Sequence, residues 1–220
     1  MKINNESELL NMFCDEFDSR PLLRTPFLNT EYNEVWSTDG RVFIGINPEI
    51  LTKEYPKEEL KLPELEYSCE KTITLEALNK AFELCPMIDE EIVVEGAVEC
   101  NGKGEVYWEY KDNHCETHER LMDCPICNGT GEIEPCKTKK TGKKIIVEDT
   151  VVEVRNAHIF ANRLLLLKTA MEYLNVDTVK MTHNAPYGAS EFIINKDIRV
   201  IIMAKIPDLN CECSAKLELK

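Results

Sequence analysis

The sequence of 220 residues lacks the short motifs that assign an enzyme at once. It contains no Gly-x-x-x-x-Gly-Lys-Ser/Thr loop for a nucleotide phosphate and no Gly-x-Ser-x-Gly turn for a serine nucleophile. Its many Asp and Glu residues form no pair that the pattern singles out for acid–base catalysis. We therefore predict a non-enzymatic protein. The one arrangement that would suggest an enzyme is His183 with Tyr187 in the stretch THNAPYG.

A long apolar run is also missing. About 20 consecutive apolar residues are needed to cross a bilayer, and no stretch of the sequence approaches this length. Residues 1–17 (MKINNESELLNMFCDEF) have no basic start followed by an apolar stretch, so no secretory signal is visible. We expect a cytoplasmic protein without a membrane partner.

Positive charge is scarce. The 26 Lys and Arg residues against 40 Asp and Glu give a formal net charge of −14 at pH 7, which argues against a surface coated by nucleic acid. A local basic face is still compatible with this charge, because phosphate affinity depends on where the cations lie. The most basic stretch is 137–144 (KTKKTGKK), which we predict to turn at Thr141-Gly142. It is either a solvated hairpin or a flexible arm that contacts phosphates.

Local patterns predict a mixture of helices and strands. Three stretches have the apolar spacing of helices, at residues 6–17, 74–85 and 161–175. Thr74 is a plausible N-cap of the second helix, and Asp39-Gly40 predicts a tight hairpin turn within residues 31–46. Further strands are predicted at 90–99, 143–160 and 178–206. Because strands and helices do not alternate as in βαβ units, the pattern predicts an α+β fold.

Three stretches occur in the order found in one protein family. VWSTDGRVFIGI (35–46) resembles the strand–turn–strand motif Ala-Thr-Asp-Gly-His-Arg-Leu of bacterial DNA sliding clamps, the polymerase III beta subunits. Its Thr-Asp-Gly matches the motif, and Arg41 stands at the histidine. TITLEALNKAFEL (72–84) resembles the strand and helix that open a clamp domain. Residues 158–206 resemble its end, with Ala204 in place of a proline near the final strand.

The resemblance implies a DNA-clamp-like antiparallel sheet with two packed helices. It divides the chain into a partial clamp-like segment (1–70), a clamp-like domain (71–95 and 145–210) and an insert (96–144), as in shortened clamp-like proteins of phages and mobile elements. Clamp helices touch phosphates without reading sequence, so the implied partners are double-stranded DNA and a replication protein. One chain of this length cannot close a ring, so encirclement would need a homo-oligomer.

Basic residues on the two helices and in the basic stretch are the candidates for DNA contact, although a solvated surface is the alternative for each. They are Lys80, Arg163, Lys168, Lys139, Lys140, Lys143 and Lys144.

The cysteines indicate a metal site in the insert. Five of the ten lie within residues 100–136, and in a chain without a secretory signal such a cluster favours metal over disulfides. CPICNGTG (124–131) is a Cys-x-x-Cys-x-Gly-x-Gly knuckle, whose glycines allow two thiolates to reach one ion while backbone amides point at sulfur. AVECNGKG (97–104) repeats it with Ala97 in place of the first cysteine. The pair resembles the zinc knuckles of J-domain co-chaperones, within a β-hairpin module similar to a zinc ribbon.

The sequence leaves three candidates for the fourth ligand of the predicted zinc. Cys100, Cys124 and Cys127 are the predicted thiolates, and the fourth is Cys136, then His118, then Cys115 in order of preference. If residues 105–110 and 119–124 pair as a hairpin, Cys115 lies about 20 Å from the knuckles. If no fourth ligand reaches, the module folds without metal. Coordination by cysteines leaves no position for water, so the predicted zinc is structural.

Two functions follow from these patterns. The first is a clamp-like protein of DNA replication or other DNA transactions, whose zinc module contacts DNA or a partner protein. The alternative is an adaptor or chaperone-like protein, in which the knuckles bind polypeptide and the remainder is scaffold.

Overall fold

The computed structural model describes residues 5–62, 64–95, 100, 103–131, 137–206 and 213–220, with the backbone alone at 92–95 and 137–139. The chain forms two compact units. The body comprises Met1–Pro86 with Ile146–Lys220, and the insert comprises Met87–Ile145. The finer division of the body into a partial and a full clamp-like domain stays a prediction.

The described residues contain three α-helices, α1 (Glu6–Asn11), α2 (Leu75–Glu83) and α3 (Ala161–Tyr173). The strands in chain order are β1 (Phe27–Asn29), β2 (Glu34–Thr38), β3 (Val42–Ile46), β4 (Lys57–Glu58), β5 (Ser68–Thr74), β6 (Met87–Glu95), β7 (Glu105–Lys111), β8 (Thr117–Asp123), β9 (Lys137–Ile146), β10 (Val151–Val154), β11 (Ala157–Phe160), β12 (Thr178–Asn184), β13 (Ala189–Asn195), β14 (Ile198–Met203) and β15 (Ala215–Lys216). The predicted α+β class is confirmed. None of the helices in this part of the chain is long and apolar enough to cross a membrane.

An eight-stranded sheet forms the centre of the body, with the order β4-β1-β2-β3-β14-β13-β12-β5. All neighbouring strands are antiparallel except β1 and β4, which are parallel. β3 pairs with β14 from Ile46 opposite Ile198 to Val42 opposite Ile202. This pairing joins β1–β4 to the C-terminal strands, while β5 is joined to them by its own pairing with β12.

The predicted hairpin at Asp39-Gly40 is confirmed between β2 and β3. Asp39 Oδ1 accepts hydrogen bonds from the backbone N–H groups of Arg41 and Val42, at 2.7 and 2.6 Å. Gly40 has a φ of 85°, in the left-handed region that favours glycine. The residues that carry the sequence signal therefore also build the turn.

One face of the large sheet packs against α2 and α3. Thr74 Oγ1 accepts a hydrogen bond from Ala77 N at 3.1 Å, which confirms the predicted N-cap of α2. Both helices and the sheet share one core, to which belong Leu78, Phe82, Leu164, Leu167, Ile44 and Val200. Each fully buried Leu or Ile side chain contributes about 1.5–3 kcal/mol. The opposite face carries a smaller cluster of Phe27, Trp36, Phe43, Ala189 and Ile201.

A smaller sheet has the order β11-β10-β15, with β15 parallel to β10. Beyond β15, Lys220 exchanges two backbone hydrogen bonds with Thr72 of β5, at 2.9 and 3.0 Å. The sequence predicted no strand here, because β15 has only two residues and its partner comes from a distant part of the chain.

Two local predictions were wrong. The first helix ends at Asn11 instead of residue 17, because the chain turns and Asp15 N donates a hydrogen bond to Leu23 O at 2.9 Å. Thr141 and Gly142 lie inside β9, which pairs with β6, and not in a turn.

A polar row crosses the sheet on the face of Trp36. Gly45 lies opposite Trp36 on one side and Arg199 on the other. Glu34 Oε2 accepts hydrogen bonds from Trp36 Nε1 at 2.9 Å and from Arg199 Nη2 at 2.6 Å. Arg199 Nη1 also donates to Glu191 Oε1 at 3.2 Å, so one guanidinium links β2, β14 and β13.

We expect Gly45→Ala to lower the free energy of unfolding by about 1–3 kcal/mol, as overpacking typically does. An added Cβ would lie 2.9 Å from Glu34 Oε2, whose carboxylate is held by Trp36 and Arg199, and 3.0 Å from two ring atoms of Phe43. Urea denaturation measures the loss. In a Glu34→Ala background the same substitution should cost clearly less, and an equal cost in both backgrounds would contradict this explanation.

We also expect stability to fall in acid through Glu191. Burial raises the pKa of this carboxyl, but hydrogen bonds from Thr182, His183 and Arg199 outweigh it and hold the pKa below its ordinary value. The resulting stability is present above the unfolded-state pKa of about 4.3 and is lost as the pH falls through the folded-state pKa.

Urea denaturation between pH 6 and pH 3 tests this prediction. Glu191→Gln should reduce the dependence of the unfolding free energy on pH, whereas Glu31→Gln at an exposed position should not. An unchanged pH dependence in Glu191→Gln would contradict the assignment.

Candidate metal centre and nucleic-acid interface

Three cysteines of the insert lie together. The Sγ atoms of Cys100, Cys124 and Cys127 are all within 4.8 Å of one another, and all three residues are buried. The Sγ atoms of Cys100 and Cys127 are 3.8 Å apart. Two sulfurs at about 2.3 Å from a tetrahedral zinc are separated by roughly 3.8 Å. The three thiols therefore fit one zinc ion.

The described residues of the two knuckles share local backbone features. Lys103 N donates to Cys100 O at 2.9 Å, and Thr130 N donates to Cys127 O at 3.1 Å. The last glycine of each repeat has nearly the same φ, 77° at Gly104 and 78° at Gly131. In the described residues, the sequence repeat is thus matched by a repeat of these backbone features.

Backbone amides point at the sulfur as the knuckle pattern predicts. Gly131 N donates to Cys127 Sγ at 3.2 Å. Such a bond stabilises a thiolate, the form that binds metal.

The knuckles approach each other so closely that only glycine fits. A Cβ at Gly104 would lie 2.3 Å from Gly129 O. Cys124 N also donates to Gly104 O at 2.8 Å, so the second knuckle is hydrogen-bonded to the first. Gly104 therefore serves the contact between the knuckles as well as its own turn.

Without a cation the thiol of Cys124 favours its protonated form. The backbone amide of Cys127 lowers the pKa of the Cys124 thiol, but burial and the neighbouring thiols of Cys127 and Cys100 together outweigh it and raise this pKa. A bound divalent cation reverses this balance, because it deprotonates coordinating thiols.

The other predicted ligands are not in this cluster. Cys136 lies outside the described residues. His118 lies opposite Tyr110 near the far end of the β7–β8 hairpin, five residues or about 17 Å along β8 from Asp123. Cys115 is exposed in the turn beyond it. The structure therefore brings together three of the predicted ligands, and the full ligand set stays a prediction.

A second group of potential ligands was missed by sequence reasoning. Asp112, Glu116 and His118 place one ligand atom each within 4.8 Å of one another at the turn of the hairpin. Asp112 Oδ1 accepts hydrogen bonds from His114 N and Glu116 N, and Asp112 Oδ2 lies 3.1 Å from His118 Nε2. These bonds explain the group as a hydrogen-bonded turn.

The three predicted DNA contacts in the helices have different environments. Lys80 pairs with Glu76 at 2.8 Å, and Lys168 pairs with Glu172 at 2.7 Å. Surface pairs of this i,i+4 kind are weak, so a phosphate can replace the carboxylate. Arg163 instead donates to the backbone oxygen of Met203 at 2.7 Å, and burial lowers its pKa. Its guanidinium is engaged within the body.

The basic stretch lies on β9 of the insert. Lys140 pairs with Asp89 at 2.7 Å. Lys143 and Lys144 are exposed and make no ion pair within the described part of the chain. The side chain of Lys139 lies outside the description. Lys143 and Lys144 are therefore the cations of β9 that are most open to a phosphate.

Comparison with known proteins gives matches in structure alone. No family model and no curated protein matches the chain. It is similar to the DNA polymerase III subunit beta of Pseudomonas aeruginosa, with 9% identity and a TM-score of 0.43 over 92% of this chain and 64% of that chain. It is also similar to the Helicobacter pylori beta clamp bound to a DNA ligase peptide, with 13% identity and a TM-score of 0.42 over 92% of this chain and 63% of that chain.

Proliferating cellular nuclear antigen from Entamoeba histolytica gives 13% identity and a TM-score of 0.29, over 79% of this chain and 64% of that chain. The chain spans less than two thirds of the length of each of these three proteins.

We expect Cys124→Ser to abolish most of the zinc bound by freshly purified protein, because it removes a buried thiolate of the cluster. Metal analysis by mass spectrometry should find about one zinc per chain before the substitution and a small fraction after it. Cys69→Ser, in β5 of the body, is the matched control and should retain the metal. Equal zinc in the Cys124 variant, or none in the original protein, would contradict the site.

Proposed function

We propose that this chain is a non-enzymatic, sliding-clamp-like protein of DNA replication or related DNA transactions. In this proposal the body contacts duplex DNA through phosphates, and the insert is a structural zinc module that contacts DNA or a partner protein.

One observation carries the proposal. The stretches that resemble clamps in sequence, the β2–β3 hairpin and the segment that ends in β14, are neighbours in one antiparallel sheet. α2 and α3 contact each other and share the core on one face of this sheet. This is the arrangement that we expect for a clamp domain, whose helices would present their exposed residues to DNA.

The charges of the helices suit contact without sequence reading. Lys80 and Lys168 are single cations held in weak pairs with glutamates. Contacts of this kind position a protein on the phosphate backbone but carry no base information. Arg163 has a different role in the proposal, because its bond to Met203 O ties α3 to the end of β14.

The zinc module would stabilise the insert. We propose Cys100, Cys124, Cys127 and Cys136 as its ligands, which leaves no position for water and no catalytic role. The lysines of β9 belong to the same unit. Zinc would hold the knuckles folded, and β9 would offer phosphate contacts.

Encirclement of DNA is a further part of the proposal. A chain of this size would need a homo-oligomer to surround a duplex. A replication protein is the partner class that a clamp-like role implies.

The phosphate contact of β9 can be tested with a double substitution. We expect Lys143→Glu with Lys144→Glu to weaken binding to a duplex about 10-fold or more near 0.1 M salt. The slope of log affinity against log salt should decrease by about 2, since each lost phosphate contact removes about 0.9. Fluorescence anisotropy at several salt concentrations gives both values.

Lys57→Glu with Lys61→Glu is the matched control, because it makes the same change of charge at exposed positions of the body. Its affinity should fall much less. If both double variants lose affinity equally, the loss reflects net charge, and the proposed phosphate contact at β9 is contradicted.

A further inference from the structure

The two faces of the β7–β8 hairpin differ in charge. Successive side chains of a strand point to opposite faces, and the register places Val106 opposite Met122, Trp108 opposite Arg120 and Tyr110 opposite His118. These six residues form one face, here called the aromatic face. The carboxylates of the hairpin strands all lie on the other face, at Glu105, Glu109, Glu119 and Asp123.

The aromatic face exposes its rings to solvent. Trp108 is 45% exposed and Tyr110 is 51% exposed, whereas Trp36 in the body is 0% exposed. The rings of Tyr110 and His118 stack across the strands, with centroids 5.4 Å apart and planes at 29°. Large aromatic side chains normally contribute to a core, and Tyr107 on the opposite face is exposed as well. Only the aromatic face combines two exposed rings, one of them stacked across the strands, with an arginine, and this combination indicates a binding surface.

The remaining residues of the face supply a cation and anchor the strand to the cysteine cluster. Arg120 is exposed and has no carboxylate partner among the described residues. At the other end, Val106 packs against the three buried cysteines. The rings are thus carried by a strand anchored at the thiol cluster.

We propose that the aromatic face binds single-stranded nucleic acid, with bases stacked on Trp108 and Tyr110 and a phosphate held by Arg120. Stacking on aromatic rings beside basic side chains is the general means of binding unpaired strands, and it tolerates any sequence because every base has a π-face. Among the strand residues of this face the one permanent charge is that of Arg120, and the four strand carboxylates lie on the other face. Asp112, in the turn, lies beside His118 at the far end, so a phosphate is expected at Arg120 and not at His118.

This site differs from the duplex contact proposed above. In a duplex the bases are stacked on one another, so the rings of the aromatic face would have no free base to bind. The inference does not rest on the clamp-like function, and either proposal can fail without the other.

Tryptophan fluorescence gives a readout specific to the site. The chain has two tryptophans, and Trp36 is fully buried in the body. Titration of the full-length protein with an oligothymidine of about 12 nucleotides should quench the emission of Trp108 and saturate. In Trp108→Phe, which keeps a ring, the quenching should disappear while labelled oligothymidine still binds.

Substitutions on the two faces test the geometry by anisotropy with the same labelled oligothymidine. Trp108→Ala and Tyr110→Ala should each weaken binding about 10-fold or more. Arg120→Gln should decrease the salt slope by about 0.7, the value for one contact with a single strand. Tyr107→Ala is the matched control, because Tyr107 is 76% exposed on the opposite face of the same strand, and its affinity should be unchanged. Retention of zinc and of the far-ultraviolet circular dichroism checks that each variant is folded.

Three results would overturn the proposal. The first is the absence of saturable quenching at low salt. The second is an equal loss of affinity in the Tyr107 and Tyr110 variants. The third is quenching of Trp108 by an unfolded polypeptide without salt dependence and no binding of oligothymidine, which would identify the face as a polypeptide surface.

Discussion

The pairing of β3 with β14 is the constraint on which the body depends. It joins strands from the two ends of the chain, with Ile46 opposite Ile198, into one sheet of eight strands. Both faces of this seam are buried, because Ile44 and Val200 lie in the helix-side core and Phe43 and Ile201 in the cluster around Trp36. Gly45, which Glu34 approaches closely, lies directly opposite Arg199 in this pairing. The guanidinium of Arg199 therefore stabilises the sheet at the same position.

The insert depends on a different interaction. Its described apolar core consists of the three thiols with Val106 packed against them. Small units with so little apolar burial are commonly stabilised by a metal, and the 3.8 Å separation of two sulfurs suits zinc. The body holds a large shared core of its own. The two units are therefore stabilised by different physical means, burial in one and thiol coordination, as proposed, in the other.

Local signals predicted those parts of the fold that local interactions build. Asp39-Gly40 forms the predicted turn and Thr74 caps the predicted helix, since each acts on residues within four positions. The spacing of the knuckles likewise predicted which thiols meet. The sequence could not show what distant pairing decides. β15 exists only beside β10, Thr141 and Gly142 lie in a strand only beside β6, and the aromatic face appears only when Tyr110 is placed opposite His118.

The central claim is that this protein contacts duplex DNA through phosphates and without reading sequence. The most direct measurement is the affinity of the full-length chain for two unrelated duplexes of equal length at several salt concentrations. The account predicts the same Kd for both duplexes and a linear fall of log affinity with log salt. A much tighter complex with one sequence, or no binding to either duplex at low salt, would contradict it.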